Sequence, residues 1–568
     1  MQEMSLSMIR LSCLLVACST IPPLVSATAT TSQSPTIQLD DGTFTGFSDG
    51  TSNAFLNIPF AQPPIGDLRF RRPVKNKPYS GLYNATAFGP ICPQQAAGYT
   101  FPSTLEPNVT QLLQEFFAAQ PNTTLPSAED CLSVNVWTPA DAKPGSRLPI
   151  VFWIPGGGFE IGGSPGFDGA AIVNKSVEID MPVIYVSMNY RVNAFGFIGG
   201  KEVKEAGVSN LGLHDQRQAL RWVQKYIHHF GGDPKRVILM GESAGAVCVA
   251  YQMLGYRGDT EGLFHGAFMG SGSPLPAADV SSAQKYYDML VVGTNCTGAN
   301  DTLQCLREVP YDELLNAINQ TPGVFGYQSL NIAWMPWTDG DLLAEEPFRQ
   351  VSKGEVAHIP FISGNCDDEG TLFGLSTLNL STDAQVYKYL STNYFPHANQ
   401  FAVEKLMSLY PSDPADGCPF NTSTQFALTP QYKRMSAFSG DFGFHGPRRF
   451  LMREISDKQS SWAYLTKRFK AAGSFTGARH GTDLNILYGG GDLSEYLVNF
   501  INHLDPNGAS PSLTQWPKYD TESQVILTLL DDDTPSPQPT TKVLAKDDYR
   551  EESIAFLVEL LAENPIGA

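Results

Sequence analysis

Residues 236–254 read RVILMGESAGAVCVAYQML, an apolar run that meets Gly-Glu-Ser-Ala-Gly and then continues with helix-forming residues. A buried strand, a tight turn and a helix in this order hold a serine hydroxyl out at the turn, with the helix amino terminus behind it. The flanking glycines relieve crowding at such a turn. The stretch therefore predicts a strand-turn-helix elbow at Ser243, with a simple tight turn as the alternative.

The pattern Gly-x-Ser-x-Gly occurs three times, so its context has to separate the matches. GFSDG at 46–50 follows alternating residues and precedes Thr-Ser-Asn, which predicts a hairpin turn. GGSPG at 162–166 has proline after the serine, where a backbone N–H must be donated to an oxyanion, and proline has none. In GESAG at 241–245 the next residue is Ala244, which keeps its N–H. Ser243 is therefore the candidate nucleophile.

Strand and helix patterns alternate over much of the chain. Buried strands are predicted in LPIVFWIPGGG (148–158), MPVIYVSMNYR (181–191) and HIPFISGN (358–365). The stretch 210–232 predicts a long amphipathic helix with a glycine stop, and DYREESIAFLVELL (548–561) predicts a final helix docked on the body. This alternation favours a mostly parallel sheet with helices on both faces.

Composition and charge exclude several classes of protein. Of 568 residues, 42% are hydrophobic and 17% charged, which is typical of a globular chain. The net charge is −19 and no Lys/Arg run exists, so a nucleic-acid partner is not expected. Residues 1–27 contain Arg10, then a short apolar stretch and then small residues, a pattern that predicts a secretory signal peptide. No later run is long enough for a transmembrane helix.

Two further features fit a secreted protein. Seven cysteines follow the predicted signal peptide, an odd number, so at least one free thiol is expected. Asn-x-Ser/Thr glycosylation acceptors begin at Asn84, Asn108, Asn122, Asn174, Asn295, Asn300, Asn319, Asn379 and Asn421.

WIPGGGF at 153–159 ends a predicted strand upstream of Ser243. Three consecutive glycines let backbone N–H groups approach a ligand with no side chain in the way. The developing negative oxygen on an attacked carbonyl needs such donors. The run predicts an oxyanion loop, and a plain turn is the alternative.

The serine also needs a base and an orienting acid, which follow it in the order acid, histidine. His397 lies in a helix-like stretch and His503 in a polar segment near the end of the chain, so neither is favoured. His445, in GFHGPRR, is a rival to His480, which is favoured because glycines flank its loop. For the acid, a predicted strand runs into Asp367, Asp368 and Glu369, and the pattern does not select among these three carboxylates.

These stretches resemble the type-B carboxylesterase/lipase family, which includes cholinesterases, fungal lipases and sterol esterases. The resemblance is carried by FLNIPFAQPPIGDLRF (55–70), EDCLSVNVWTP (129–139), FGGDPKRVILMGESAG (230–245), CDDEGTLF (366–373) and RHGTDLNILYG (479–489). It implies an α/β-hydrolase fold, which has a mostly parallel central sheet, helices on both faces and large loop insertions. It also implies that residues 28–568 form one large domain.

Carried over by position, the resemblance implies that Ser243 is the nucleophile and His480 the general base. Glu369 is implied as the acid, because the family uses the carboxylate directly before the glycine of that segment. The implied oxyanion donors are Gly157, Gly158 and Ala244. No metal or organic cofactor is implied.

The resemblance also implies two disulfides, Cys92–Cys131 and Cys296–Cys305. It assigns no partner to Cys248, Cys366 or Cys418, and a bond between Cys366 and Cys418 is an open alternative. The first disulfide encloses residues 93–130, which in fungal lipases of the family form a flap over the site. Apolar residues recur there at roughly helical spacing: Val109, Leu112, Leu113, Phe116 and Phe117. This face is expected to be either packed core or the inner face of a flap that opens at a lipid surface.

The sequence thus predicts a secreted serine hydrolase that cleaves carboxylic esters, with a small-molecule or lipid ester as its substrate. Two rivals are a catalytically silent cholinesterase-like binding module and a serine peptidase on the same fold. The presence of all three triad residues argues against the silent module. The acyl preference and the oligomeric state are left open, and Ile332 and Trp334 are candidates for an acyl pocket by analogy.

Overall fold

A computed structural model describes residues 34–96, 98–118, 125–470, 474–509, 513–531 and 541–567. The predicted signal peptide at 1–27 lies outside the described residues. Residues Pro35–Ala568 form one compact unit. Within the ranges above, no helix is both long and apolar enough to cross a membrane.

The described strands divide into a large and a small sheet. They are β1 (Thr36–Leu39), β2 (Asp41–Thr45), β3 (Phe47–Ser48), β4 (Ser52–Pro59), β5 (Ser80–Asn84), β6 (Ser133–Pro139), β7 (Leu148–Ile154), β8 (Ile184–Met188), β9 (Gly232–Glu242), β10 (Gly266–Gly270), β11 (Phe361–Cys366), β12 (Ser461–Thr466), β13 (Val525–Leu529) and β14 (Lys542–Lys546).

Helices fill most of the connections between the strands. They are α1 (Pro107–Ala118), α2 (Gly169–Glu178), α3 (Asn193–Phe197), α4 (Lys201–Ala206), α5 (Leu211–Tyr226), α6 (Ala244–Gly258), α7 (Gln284–Gly293), α8 (Thr302–Glu308), α9 (Tyr311–Ile318), α10 (Pro347–Lys353), α11 (Thr371–Gly374), α12 (Asp383–Asn393), α13 (Gln400–Leu409), α14 (Tyr432–Gly440), α15 (Gly446–Ile455), α16 (Thr482–Tyr488), α17 (Asp492–His503) and α18 (Glu551–Glu563). A π-helical turn at Asp441–His445 joins α14 to α15.

The large sheet has eleven strands in the order β14-β13-β12-β11-β10-β9-β7-β8-β6-β4-β3. All neighbours from β8 to β13 pair in parallel, whereas β14 at one edge and β6, β4 and β3 at the other pair antiparallel. Strands β1, β2 and β5 form the small sheet. This arrangement confirms the predicted α/β-hydrolase fold.

The central strands are buried on both faces, which explains why they read as continuous apolar runs. In β7 the side chains of Phe152 and Ile154 belong to the larger apolar core, and those of Val151 and Trp153 to the second core. Successive residues of a strand point to opposite faces, so one strand supplies both cores. The glycine loop that follows β7 is therefore anchored to a strand that is packed on both faces.

Other predicted elements are also present. The 46–50 match lies in a β3–β4 hairpin, where Phe47 pairs with Ala54. The long helix α5 ends at Tyr226 and is followed by a short 3₁₀ turn that stops at Gly231, which has φ 88°. The final helix α18 packs against α13 and α15.

Both implied disulfides are formed, Cys92–Cys131 and Cys296–Cys305. The other described cysteines, Cys248, Cys366 and Cys418, are buried free thiols. In the segment between Cys92 and Cys131, residues 97 and 119–124 are outside the described ranges.

Helix α1, in the segment between Cys92 and Cys131, packs on the body through part of its apolar face. Val109 and Leu113 are buried in a cluster that includes Leu375 and Tyr432. Leu112 is 37% exposed and therefore does not belong to the inner face suggested by the helical spacing.

Candidate active site

Ser243 occupies the junction that the sequence predicts. Strand β9 ends at Glu242 and helix α6 begins at Ala244. Between them Ser243 has φ 58° and ψ −132°. A positive φ at a non-glycine residue costs about 1–3 kcal/mol, so the surrounding structure must hold it. The Ser243 N–H donates to the carbonyl oxygen of Gly270 at 2.9 Å, which is one such restraint.

Close packing explains the two glycines of the elbow. A Cβ atom on Gly245 would collide with the carbonyl oxygen of Ile154 at the end of β7. A Cβ atom on Gly241 would collide with the backbone of Gly245. The pattern Gly-x-Ser-x-Gly therefore reflects a helix that starts directly against the strand ends.

A hydrogen-bonded relay connects Ser243 to residues far along the chain. His480 Nε2 lies 2.7 Å from Ser243 Oγ. On the other side of the ring, His480 Nδ1 lies 2.6 Å from Glu369 Oε2. The imidazole is thus oriented by the carboxylate and presents its other nitrogen to the hydroxyl.

The carboxylate of Glu369 is held in place by hydrogen bonds to the oxygen that does not contact His480. Its side chain is fully buried and its Oε1 accepts from the Cys366 N–H at 2.8 Å and from Asn365 Nδ2 at 3.3 Å. Asn365 Oδ1 in turn accepts from Arg448 Nε at 2.6 Å, and that guanidinium forms two 2.8 Å hydrogen bonds with Asp547. The orientation of Glu369 therefore depends on residues that the sequence analysis did not identify.

Asp367 and Asp368, the two alternatives for the acid, have other partners. Lys470 Nζ lies 2.5 Å from a carboxylate oxygen of Asp367 and 3.1 Å from one of Asp368. Asp368 also accepts the N–H of Ala478 at 2.9 Å, two residues before His480. Asp368 therefore anchors the loop that carries the imidazole, and Glu369 is the member of the three that reaches it.

The rival histidines do not meet Ser243. His445 is buried and its Nδ1 lies 2.9 Å from the Tyr549 hydroxyl. Burial, aided by the guanidinium groups of Arg550 and Arg448, holds its pKa well below the usual range. His397 lies in an exposed turn between α12 and α13, which corrects the helix-like interpretation.

The glycine loop after β7 lies beside the relay. Gly157 and Gly158 have φ 115° and 62°, and both line the same cavity as Ala244, the first residue of α6. Among the described residues, the N–H groups of Gly157 and Gly158 have no hydrogen-bond acceptor. The three sequence-predicted donors therefore line the cavity that also holds Ser243.

The cavity in front of the relay has a volume of about 290 Å³. Away from the relay its wall is apolar and includes Val247, Leu275, Val324, Phe325, Leu330, Ile332, Leu372, Phe373, Phe442 and Phe444. Ile332 lies in this wall as expected. Trp334 does not, because its ring is fully buried and its Nε1 donates to Thr321 Oγ1 at 2.8 Å.

A second carboxyl lies close to the imidazole. Glu242 Oε1 is 3.4 Å from His480 Nε2. Burial raises the pKa of Glu242 to about 8, against the opposing attraction of the imidazole. Burial disfavours the charged imidazole, but the carboxylates of Glu242 and Glu369 outweigh it and raise the pKa of His480 to about 9. Glu242 and His480 therefore titrate as a pair.

Comparisons with known proteins identify relatives of this chain. The sequence profile described as "Carboxylesterase family" matches residues 33–556. The chain is 39% identical to Lipase 4 of Diutina rugosa over 88% of this chain and 92% of that protein. It is 37% identical to the secreted triacylglycerol lipase LIP1 of Gibberella zeae over 92% of this chain and 90% of that protein.

A solved structure extends the likeness to three dimensions. The crystal structure of Aspergillus niger EstA superposes with a TM-score of 0.78 at 27% identity, covering 94% of this chain and 99% of that chain. The matches in sequence and in structure each span nearly the whole described protein. The chain therefore belongs to the carboxylesterase family of ester hydrolases.

Proposed function

We propose that this protein is a secreted serine hydrolase that cleaves carboxylic esters through an acyl-enzyme intermediate on Ser243. The observation that carries the proposal is the relay from Ser243 Oγ through His480 to Glu369, with hydrogen bonds of 2.7 and 2.6 Å. A hydroxyl hydrogen-bonded to an oriented base is the arrangement that activates a serine nucleophile.

In the first half of the reaction, His480 Nε2 takes the proton of Ser243 as the Oγ attacks the ester carbonyl. The negative oxygen that develops accepts hydrogen bonds from the N–H groups of Gly157, Gly158 and Ala244. Loss of one such donor typically costs about 3–4 kcal/mol of transition-state stabilisation. The imidazolium of His480 then protonates the alcohol, which leaves.

In the second half, water takes the place of the alcohol. His480 removes its proton, the hydroxide attacks the acyl carbonyl, and Ser243 recovers its proton as the acid departs. Glu369 fixes the tautomer of His480 and stabilises its charged form in both halves. These steps use side chains, backbone N–H groups and water.

We infer that the acyl part of the substrate is apolar. The cavity that starts at Ser243 is walled by aliphatic and aromatic side chains, and burial of each methylene group stabilises a bound chain by about 0.8 kcal/mol. Several relatives are named lipases, which supports a lipid ester as the substrate.

We further propose that residues 93–130 act as a flap over this cavity. The ring of Tyr99, in the flap, packs on the cavity residue Phe325 with centroids 4.7 Å apart, and its hydroxyl donates to the carbonyl oxygen of Leu372 at 3.0 Å. A jump in rate when an ester passes its solubility limit would support opening at a lipid surface. Smooth saturation below that limit, with no further rise, would count against it.

Secretion is proposed from the signal-like residues 1–27 and from relatives named as secreted. Amino-terminal sequencing of the protein from culture medium should find a chain that begins near residue 28. Recovery of an uncleaved chain in the cells alone would contradict secretion.

The catalytic proposal is tested with Ser243→Ala and a matched control, Ser48→Ala. Both serines lie in a Gly-x-Ser-x-Gly pentapeptide, but Ser48 sits in the β3–β4 hairpin. Ser243→Ala should lower kcat for a nitrophenyl ester by about 10⁶-fold, as for other nucleophile knockouts, while Ser48→Ala keeps wild-type activity. Ester hydrolysis that survives in Ser243→Ala would refute the proposal.

Two outcomes would point to the alternative functions. A wild-type protein that reacts with no fluorophosphonate probe would be a silent binding module. A peptide anilide turned over faster than the matching ester would indicate a peptidase. We expect probe labelling at Ser243 and preference for the ester, because the relay and the donor loop are both assembled.

A further inference from the structure

Glu160 is a fully buried carboxylic acid directly after the glycine loop. Its N–H donates to the carbonyl oxygen of Gly157 at 3.1 Å, which closes the turn of that loop. Its own carbonyl oxygen accepts from the N–H of Gln95 at 3.1 Å. Its side-chain Oε2 accepts from the N–H of Val324 at 2.7 Å. One residue thus joins the donor loop, the stem of the flap and the cavity wall.

The hydrogen bond between Glu160 and Val324 also affects the glycine loop, because Val324 packs against Gly158. A Cβ atom on Gly158 would lie 3.1 Å from Val324 Cγ2, so the valine side chain stands directly against this glycine. Glu160 holds the valine through its N–H and closes the turn at Gly157. The positions of both glycine N–H groups therefore depend on Glu160.

Two buried oxygen atoms beside this clamp lack hydrogen-bond partners in the described part of the chain: Glu160 Oε1 and Gln95 Oε1. Both side chains lie beside Gly323, since a point at its Cβ position is 3.2 Å from Glu160 Oε2 and 3.5 Å from Gln95 Nε2. Gln95 Nε2 donates to the carbonyl oxygen and the hydroxyl of Thr321, both at 3.2 Å, so the amide cannot be reversed without losing these bonds. An ionised Glu160 would leave two acceptors and no donor.

A proton on Glu160 Oε1 would supply the missing donor, and the Gln95 amide oxygen would be its acceptor. The surroundings favour that form. Burial raises the pKa of Glu160 to about 8, although the hydrogen bond from Val324 opposes the rise. Glu160 has no ion pair among the described residues. The titratable group facing it is Tyr286, whose pKa burial raises to about 12.

We propose that Glu160 is a positioning residue which, in its protonated form, clamps the flap stem at Gln95 and the cavity wall at Val324 to the oxyanion loop. The inference rests on the proposed ester hydrolysis. Ionisation sets a carboxylate against the amide oxygen of Gln95, and the repulsion loosens the loop. Misplaced donors weaken binding of the transition state more than binding of the substrate, so kcat falls and KM changes little.

The test compares wild type, Glu160→Gln and Glu160→Leu by kcat and KM for a soluble ester from about pH 6 to about pH 9.5. Wild-type kcat divided by Glu160→Gln kcat should fall about tenfold between about pH 7 and about pH 9, as a group with a pKa near 8 loses its proton. The ratio removes the titration of His480, because its raised pKa acts on kcat in both proteins. Glu160→Gln offers the same donor and acceptor without titrating, so its kcat should match that of wild type at about pH 7. Glu160→Leu should lower kcat at every pH, by at least about tenfold.

Several results would overturn the inference. They are a ratio of wild-type to Glu160→Gln kcat that stays constant to about pH 9, and a Glu160→Gln protein that fails to fold or is as impaired as Glu160→Leu. A purely structural role would change stability but not the shape of the pH profile, so thermal unfolding is recorded at each pH. A wild-type protein without esterase activity, or an active Ser243→Ala, would instead refute the proposed function.

Discussion

Replacement of Glu242 by glutamine removes a carboxyl group that lies 3.4 Å from His480 Nε2 and keeps nearly the same shape. This carboxyl group and Glu369 both raise the pKa of His480. The imidazole acts as a base only when it is neutral. With one carboxylate gone its pKa is lower, so the neutral form persists to lower pH and the acidic limb of the kcat/KM profile moves to lower pH.

The distance sets the size of the effect. Two full unit charges 3.4 Å apart attract by about 5 kcal/mol at an effective dielectric constant of about 20. Below about pH 8, Glu242 carries only part of a negative charge, because burial raises its own pKa to about 8. We therefore expect a shift of about one to two pH units. The imidazolium that forms in the transition state loses the same attraction. The plateau value of kcat should therefore fall by about tenfold for each unit by which the pKa of His480 is lowered.

The assay measures kcat/KM for a soluble nitrophenyl ester from about pH 5 to about pH 10. Glu346→Gln is the matched control, because Glu346 is also a buried glutamate but accepts from the N–H groups of Phe348 and Arg349 at the start of α10. Its profile should overlay that of wild type. An acidic limb in Glu242→Gln that stays in place or moves to higher pH would refute the reasoning.

Further predictions concern the disulfides and the cavity. Serine in place of Cys92 and Cys131 should lower the free energy of unfolding by about 4 kcal/mol, against about 2.5 kcal/mol for Cys296 and Cys305, because the entropic cost of a loop grows with its length. The pairs are 39 and 9 residues apart, and the reverse order in denaturant titrations would contradict this reason. Gly443→Leu should lower kcat/KM for esters of long acyl chains at least about tenfold more than for acetyl esters. Gly443 lines the cavity, and a Cβ atom added there would already crowd the side chain of Leu330. Equal losses for both chain lengths would count against that role.

The elbow and the central strands could be predicted because their signals are local. A buried parallel strand is a short apolar run, and a helix that starts against strand ends needs glycine at two fixed positions. The candidate base could also be favoured from its glycine-flanked loop. In each case the residues that determine the structure lie within one short stretch of chain.

The choice among the carboxylates at 367–369 has a different origin. Nothing in three adjacent acidic letters indicates that Lys470 would pair with the first two and that the third would meet His480. The support of Glu369 through Asn365 and Arg448 joins segments about 80 residues apart. Such contacts arise from the tertiary fold, and no periodicity or spacing in the sequence records them.

The mistaken details have the same cause. Helical spacing placed Leu112 with the apolar face of α1, but a helix buries only the part of that face that its neighbours cover. Trp334 was assigned to the acyl pocket by analogy with a short stretch. The side chain instead turns inward to a hydrogen bond with Thr321, which only the packing of both segments could reveal.

The buried pair of Arg448 and Asp547 ties the last part of the polypeptide to its chemistry. A shortened chain that stops before Asp547 would retain the nucleophile, the base, the acid and the predicted oxyanion donors. It would, however, leave the buried guanidinium of Arg448 without its carboxylate partner. Removing one partner of such a pair costs about 3–5 kcal/mol. Carboxy-terminal trimming or early stop codons should therefore abolish hydrolysis even though they delete no residue that touches the ester.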